Sequence, residues 1–288
     1  MRPPAPPGCP NPGCVHHAAP PKNFFWRKGT FTPKRTGVPL VRYQCKGCRR
    51  TFSNRTFAAD RGQHRPDING ALAALLCSGV TMRRAALLLG VAYNTVCARL
   101  PWLAEQARKA HGKALADGVL STSYLQFDEM ETFVGASPKA VTIAVAVRAK
   151  TGQILSVRAG RIPSKGRLAK KGQLLYGWTV DQGPATCAAA LQEAARAAKA
   201  GATVASDGKS SYANLIAGAI PGAAHQPSPA NAALGGFDPL FALNHVCAKI
   251  RADLSRMARR TWATTKSIAR LQDHLDLYVA WQNRYRVG

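Results

Sequence analysis

The pattern of apolar and polar positions changes several times along the chain. Residues 1–59 are rich in Pro, Gly, Cys and basic side chains and show little helical periodicity. Residues 66–112 carry apolar positions at helical spacing, interrupted at Ser78-Gly79 and Gly90, and predict a group of short helices. Residues 241–286 are again mostly helical in pattern and strongly basic.

Between these helical parts, short apolar runs predict strands. Residues 123–127, the unbroken β-branched run 141–147 and residues 154–157 have the composition of strands. Gly152 indicates a turn between the last two, so we expect a meander.

An Ala-rich segment then separates two strands. Residues 185–200 predict a helix that ends at Gly201, and residues 202–206 predict a further strand. A strand–helix–strand order favours parallel pairing, so we expect an α/β core with a mixed sheet. Residues 217–239, rich in Pro, Gly and Ala, predict a loop.

The net charge of the chain indicates which class of partner it binds. The 288 residues contain 40 Lys and Arg against 14 Asp and Glu, a formal charge of +26. The chain cannot neutralise this excess itself, so a polyanion is the expected partner. A membrane surface is the rival to nucleic acid, but no basic amphipathic helix with a broad apolar face stands out.

The length of the apolar runs indicates where in the cell the protein is located. Residues 70–77 and 141–147 are too short to span a bilayer, and the first residues lack the apolar segment of a secretory signal. We therefore expect a cytoplasmic protein without a membrane partner. Its eight cysteines are then thiols or metal ligands rather than disulfides.

Four cysteines form two short knuckles about thirty residues apart: Cys9, Cys14, Cys45 and Cys48. Such knuckles bring four thiolates to one tetrahedral Zn²⁺, and a segment with so few large apolar residues would need the metal to fold. The alternatives are a coincidental grouping, or His16 or His17 replacing Cys14. Another four cysteines lie at apolar helical positions and are expected in the core: Cys77, Cys97, Cys187 and Cys247.

Cations and aromatic residues surround the second knuckle. Arg49 and Arg50 follow Cys48 directly, and such a surface can contact DNA phosphates. Many zinc ribbons mediate protein contacts instead, so this feature leaves both interpretations open.

Residues 80–99 have the spacing of a helix-turn-helix. Ala85, Ala86 and Leu89 form the inner face of a first helix, and Gly90 lies in the turn. In the second helix Val96 points inward, while four residues point outward: Tyr93, Asn94, Thr95 and Arg99. We expect Tyr93, Asn94 and Arg99 to contact a DNA groove; an ordinary helical hairpin is the alternative.

Carboxylates are rare in this chain, so their positions are informative. Asp128, Glu129 and Glu131 follow the strand at 123–127, and Asp207 follows the strand at 202–206. Carboxylates at strand ends of one α/β sheet can meet and bind Mg²⁺ or Mn²⁺. Two such ions about 4 Å apart support in-line attack on a phosphodiester. Solvated turn residues are the alternative interpretation.

Four segments together resemble a bacterial insertion-sequence transposase of the insertion-element-one superfamily. They are residues 126–135 (QFDEMETFVG), 206–212 (SDGKSSY), 244–251 (NHVCAKIR) and 254–262 (LSRMARRTW). The resemblance implies three domains: a zinc ribbon at 1–59, a helix-turn-helix domain at 60–115, and an RNase H-like DDE-type catalytic domain with basic C-terminal helices at 116–288.

The resemblance also implies a metal site with a substituted third ligand. Asp128 and Asp207 correspond to the first two ligands of the triad. The family usually has Glu at the third, with Arg or Lys seven residues later; aligning that basic residue on Arg251 puts Asn244 in place of Glu. Asn and Arg seven apart share a helix face. His245 is the second choice for the third role and Glu131 the third.

A transposase of this kind binds the terminal inverted repeats of its element as a dimer or higher oligomer, in association with the nucleoid. It cleaves double-stranded DNA and joins it to a target with Mg²⁺ or Mn²⁺. Basic residues near the site are then expected to follow the DNA backbone: Arg251, Arg256, Arg259 and Arg260. A catalytically inactive DNA-binding regulator and a nuclease that cleaves without joining remain alternatives.

Overall fold

The computed structural model describes residues 5–33, 37–228, 238–258 and 263–285, and the chain divides into two units, Met1–Asp67 and Ile68–Gly288. This division comes eight residues after the predicted boundary at residue 59 (67 against 59). The predicted boundary at residue 115 falls inside the second unit, because the helices before it share a core with the sheet after it.

The first unit contains a three-stranded antiparallel sheet in the order β1-β2-β3. Its strands are β1 (Phe25–Phe31), β2 (Leu40–Cys45) and β3 (Thr51–Ser53). Its core is one aromatic layer, in which Tyr43 of β2 pairs with Phe52 of β3 and both pack with Phe24 beside three buried cysteines. So small a core gives the unit only marginal stability unless a further bond joins the parts of the chain.

The second unit contains a five-stranded mixed sheet in the order β6-β5-β4-β7-β8. Its strands are β4 (Thr122–Phe133), β5 (Ala140–Arg148), β6 (Ile154–Arg161), β7 (Ala198–Asp207) and β8 (Ala224–Ser228). The first three form the expected antiparallel meander, and Gly152 takes a positive φ of 65° in its second turn. β7 pairs parallel with β4, and β8 pairs parallel with β7.

Helices cover both faces of this sheet. They are α1 (Asn69–Leu76), α2 (Met82–Leu88), α3 (Tyr93–Ala116), α4 (Arg167–Tyr176), α5 (Gly183–Ala195), α6 (Ser211–Ala219), α7 (Phe241–Asp253) and α8 (Ile268–Gln282).

The interior strand β5 is mostly apolar because each of its faces meets a different core. Val141 and Val145 belong to the core formed with α1–α3, α7 and α8. Ala144 and Ala146 belong to the core formed with α5 and α6. A strand buried on both faces has no polar alternation.

The helices α2 and α3 are bent by 111° from each other around the residues between them, where Gly90 has a φ of +60°. Ala85, Ala86 and Val96 are buried at their contact, as the spacing predicted. Among the described helices, none is by itself long and apolar enough to cross a membrane. This bent pair alone passes that test, by length and composition only.

β4 is longer than the sequence predicted, and the difference changes the setting of the acidic residues. Its parallel pairing with β7 ends at Phe127 opposite Ser206, but its antiparallel pairing with β5 continues to Phe133 opposite Ala140. Asp128 therefore lies inside a strand, not after it, and the ladder with β5 fixes its backbone.

Two other expectations about local structure were wrong. The Ala-rich helix ends at Ala195, and Gly201 lies within β7, where a φ of +66° accompanies a shift in register with β4. The predicted loop at 217–239 contains a strand, β8, which adds to the edge of the sheet next to β7. Residues 198–201, at the beginning of β7, and residues 224–228, which form β8, both lack the apolar run that usually marks a strand.

Gln126 connects β4 to the beginning of α7. Its side-chain Nε2 donates to the carbonyl of Pro239 at 2.7 Å, and its Oε1 accepts the backbone N–H of Leu243 at 2.9 Å. The side chain is buried, so both partners are backbone groups shielded from water. The side-chain amide of Gln126 thereby fixes where α7 begins, and Gln126 lies two residues before Asp128 in β4.

We predict that Gln126→Leu lowers the free energy of unfolding by about 2–4 kcal/mol, because two buried backbone groups lose their partners. Urea unfolding followed by circular dichroism measures this loss. Gln173→Leu on the exposed side of α4 is the matched control and should change stability by less than about 0.5 kcal/mol. Equal effects of the two substitutions would contradict the role of Gln126.

Candidate functional site

Four thiols of the first unit converge as the sequence predicted. The Sγ atoms of Cys9 and Cys48 are 3.5 Å apart, those of Cys14 and Cys45 are 3.6 Å apart, and all four lie within 4.8 Å of one another. Zinc–sulfur bonds of about 2.3 Å in a tetrahedron place the sulfurs about 3.8 Å apart. The four cysteines therefore fit a structural zinc ion.

The knuckles are shaped by backbone hydrogen bonds and one glycine. Cys14 N–H donates to Asn11 C=O at 3.0 Å, and Arg49 N–H donates to Cys45 C=O at 3.1 Å. A Cβ on Gly47 would lie 3.0 Å from His16 Cδ2 and 3.4 Å from Cys14 Sγ, so a side chain there would crowd the thiols.

Neither histidine takes the place of a cysteine in this cluster. The ring Nδ1 of His17 lies 2.7 Å from the carbonyl oxygen of Cys9, and the ring of His16 lies 6.0 Å from that of Phe24. Among the described residues, the group with metal-ligand spacing consists of the four cysteines alone.

The thiols also need a cation for electrostatic reasons. Burial and the neighbouring thiols raise the pKa of Cys9 to about 12, whereas the backbone N–H of Arg50 lowers the pKa of Cys48 to about 6. Four thiolates at this spacing repel one another, so they can all be charged only around a positive ion.

The second unit brings the two predicted aspartates together. Phe127 and Ser206 are paired on the neighbouring strands β4 and β7, so Asp128 and Asp207 are the next residues on each. Burial, and then the charge of Asp207, raise the pKa of Asp128 to about 6. Its Oδ1 accepts the N–H of Glu129 at 2.6 Å and lies 3.3 Å from the hydroxyl of Tyr212.

Glu129 is held by three donors. Thr142 Oγ1 donates to it at 2.8 Å, Tyr212 OH at 3.0 Å, and Lys209 Nζ forms an ion pair with it. Burial acts to raise the pKa of Glu129, but these donors outweigh it and the pKa is lowered. Glu131 likewise forms an ion pair, with Lys165.

A cavity of about 470 Å³ opens beside these charges. Its lining includes Asp128 and Asp207, a third aspartate, Asp181, both glutamates and the two lysines that pair with the glutamates, together with residues from the first turns of α5 and α6. With Glu129 and Glu131 each paired to a lysine, neither offers an uncompensated charge to a metal next to Asp128.

The helix α7 carries the residues expected at the third position. Leu243, Val246 and Ile250 are buried against the sheet on the face that Met130 shares. Burial and the nearby charge of Asp128 raise the pKa of Cys247 to about 12, while Arg251 opposes this shift. The face of α7 with Cys247 is thus close to Asp128, and Asn244 is on that face one turn earlier.

Asn244 itself is not bonded to either aspartate in the described part of the chain. Its Nδ2 donates to Asp238 Oδ2 at 2.9 Å, and its side chain is exposed. His245 is also exposed, and its ring stacks on Phe241 at 5.8 Å. Of the three residues expected to hold a metal, the described part of the chain therefore brings Asp128 and Asp207 together, and it shows no contact of either with Asn244.

Asp238 is a site residue that sequence reasoning missed. Besides binding Asn244, it accepts the N–H of Leu240 at 2.9 Å through Oδ1. An Asp shortly before a helix is a recognised start signal, which could have identified it. Gln126 had no such signal, because its partners are backbone groups far away in sequence.

The residues expected to contact DNA differ in accessibility. Arg49, Arg50, Tyr93 and Asn94 are exposed. The outward orientation predicted for Arg99 was wrong: it is 6% exposed and its guanidinium lies 6.0 Å from the ring of Trp102. Arg99 follows the buried Val96 by three positions, so it falls on the buried face of α3.

Arg256 is also engaged within the second unit, contrary to the expectation that it follows a DNA backbone. Its Nε donates to His274 Nδ1 at 2.8 Å, and burial lowers the pKa of Arg256 to about 10. His274 in turn bonds the carbonyl of Leu76 at 2.9 Å, which ties α8 to α1. Arg259 and Arg260 lie outside the described residues.

Comparison with known proteins adds no assignment. The chain matches no protein-family model, and it matches no curated protein. Its function must therefore be inferred from its own residues.

We predict that the purified chain holds about one zinc ion, and that Cys45→Ser removes it, because three thiolates hold zinc far less tightly than four. Zinc content by atomic emission measures this. Cys97→Ser, a substitution of a partly buried cysteine away from the cluster, should leave the zinc content unchanged. Retention of zinc in Cys45→Ser would contradict the four-cysteine assignment.

Asp128→Asn should stabilise the zinc-loaded protein at neutral pH when no Mg²⁺ or Mn²⁺ is present. The partly buried carboxylate of Asp128 has a raised pKa, so its ionisation opposes folding above the ordinary pKa of about 3.8, and Asn keeps the Oδ1 acceptor. At about 1.4 kcal/mol per pKa unit, the gain at pH 7.5 is on the order of 1–3 kcal/mol, and it disappears below about pH 4.

Urea unfolding without chelator and without added Mg²⁺ or Mn²⁺, at several pH values, measures this gain. Asp117→Asn, at an exposed carboxylate just after α3, is the control and should change stability by less than about 0.5 kcal/mol. A gain for Asp128→Asn that is the same at pH 3.5 and pH 7.5 would show that charge burial is not its cause.

Proposed function

We propose that this protein is a DNA transposase of the insertion-sequence type, acting by metal-dependent phosphoryl transfer. The observation that carries the proposal is the adjacency of Asp128 and Asp207 where the pairing of β4 and β7 ends. Asp128, Asp207 and Asn244 would hold Mg²⁺ or Mn²⁺. The mixed sheet, with a three-stranded meander beside two parallel strands, supports an RNase H-like core.

The donor set suits a hard divalent cation. The hydrogen bonds found for Asp128 and Asp207 in the described residues all go to Oδ1, and Asn244 uses its amide nitrogen toward Asp238. Second carboxylate oxygens and an amide carbonyl oxygen are ligands that Mg²⁺ accepts. When bound, the ions supply positive charge to the reacting phosphate and make water a better nucleophile.

Phosphoryl transfer then consists of two displacements. In the first, the oxygen of water bonds to phosphorus at the element end, the bond to the 3′ oxygen breaks, and that oxygen leaves as a hydroxyl. In the second, this hydroxyl bonds to phosphorus in the target and displaces a target 3′ oxygen. Asp128 and Asp207 act in this scheme as fixed negative charges. Arg251, which is exposed on α7, would contact a phosphate.

DNA recognition is assigned to α2 and α3. Their bend of 111° and the short turn at Gly90 fit the helix-turn-helix, in which helices cross at about 90–120°. Tyr93 and Asn94 are exposed at the beginning of α3, and the guanidinium of Arg83 lies 5.4 Å from the Tyr93 ring. This exposed end of α3 is the part that would enter a major groove.

A DNA-binding regulator without catalytic activity is the second candidate. Asn244 brings no charge to the site, and its amide contacts Asp238 rather than Asp128. Such a protein would bind the same DNA ends through the same surfaces and leave them intact.

We predict that the protein cleaves and joins DNA that carries the sequences flanking its coding region, in the presence of Mg²⁺ or Mn²⁺. Asp128→Asn and Asp207→Asn should each lower the rate on the order of 10³-fold, or about 4 kcal/mol of barrier. Gel assays that score cut and joined products separately measure this. Glu131→Gln, which removes a charge from the same cavity, should change the rate by less than about fivefold.

The same assay separates the alternatives. Asn244→Ala should abolish turnover while His245→Ala only weakens it; the reverse ranking would give the third role to His245. Binding of the ends with no cleavage by wild type or variants would support the regulator. Cleavage without joined products would indicate a nuclease.

A further inference from the structure

Trp26 on β1 lies under three cations. The ring is 37% exposed, which is high for the largest aromatic side chain in a small unit. The Nζ atoms of Lys28 and Lys46 are 5.8 and 5.9 Å from the ring centroid, and the guanidinium of Arg49 is 4.5 Å from it.

The fold of the second knuckle builds this arrangement. Trp26 is paired with Gln44 of β2, and the Gln44 side chain donates to the carbonyl of Arg49 at 3.1 Å. Arg49 takes a positive φ of 61°, so the chain turns back beside β1. The N–H of Lys46 donates to the carbonyl of Phe24 at 2.8 Å and holds the knuckle next to the same strand.

No carboxylate of this part of the chain compensates the charge. Residues 1–59 contain eleven Lys and Arg and no Asp or Glu, and the first carboxylate, Asp60, is paired with Arg55 at 2.9 Å. The face of an indole ring attracts a cation, but three cations around one ring also repel one another. The cluster is therefore suited to anions that come from outside the unit.

We propose that Trp26, Lys28, Lys46 and Arg49 form a binding site for single-stranded DNA. Phosphates bind the three cations and draw them away from the Trp26 ring. An unpaired base then stacks on the indole face that this movement exposes. Bases inside a duplex are covered by their neighbours on both faces, so intact duplex gains only the phosphate contacts. This inference rests on the proposed function only in taking DNA as the partner, and it is independent of catalysis.

Fluorescence anisotropy with the full-length, zinc-loaded protein tests the site. The probes are a labelled oligothymidylate and a labelled duplex of equal length, each titrated at several KCl concentrations. Trp26→Ala should weaken oligothymidylate binding about tenfold and duplex binding less than about twofold. In Trp26→Ala the slope of log affinity against log KCl concentration should not change, because indole carries no charge. Arg49→Ala should reduce that slope by about one released ion.

Two variants serve as controls. Trp178→Ala removes an indole that is 88% exposed in the second unit and should leave both affinities unchanged. Trp26→Phe keeps a smaller ring and should restore most of the binding that Trp26→Ala loses, and zinc content verifies that each variant retains the folded knuckle.

The outcomes separate this inference from the proposed function. Equal losses on both probes, or no loss on either, would overturn the stacking site while leaving DNA binding intact. Failure of the wild-type protein to bind either probe would overturn both. If Asp128→Asn loses cleavage but binds oligothymidylate like wild type, the stacking site stands apart from the chemistry.

Discussion

The unequal pairing of β4 is the constraint on which the candidate site depends. The strand loses its parallel neighbour at Phe127 but keeps its antiparallel neighbour to Phe133. Asp128 is thus held rigidly on one side and open on the other, beside the end of β7 and Asp207. A loop could not fix two like charges at such proximity, because mutual repulsion would move them apart.

That proximity has an energetic cost that the rest of the second unit must offset. Burial and a like charge raise the pKa of Asp128, and the hydroxyl of Tyr212 and the N–H of Glu129 compensate only in part. Gln126, two residues before Asp128, fixes the beginning of α7 through two buried backbone groups. Carboxylates whose pKa is shifted by burial and a neighbouring charge cluster at functional sites.

Much of this architecture could be predicted from local sequence, and its failures have physical causes. Cysteine spacing identified the thiol cluster, and the β-branched run 141–147 identified an interior strand of the sheet. The prediction for Arg99 failed because its charge was taken to place it outside, although it lies three positions after Val96 and so shares the buried face of α3. The extent of β4 and the existence of β8 escaped because they depend on neighbouring strands, not on their own apolar pattern. Asn244's contact with Asp238 likewise depends on how α7 begins.

The length of α3 has a geometric consequence for any DNA on this protein. The helix starts at exposed Tyr93, runs 24 residues to Ala116, and packs its middle into the core shared with the sheet. At 1.5 Å per residue it spans about 36 Å, which corresponds to roughly ten base pairs of duplex. Under the proposed function this rod would act as a ruler: the base sequence read at one end would fix how far away a phosphate meets the aspartates, so the position of the cut would be counted from the recognised sequence.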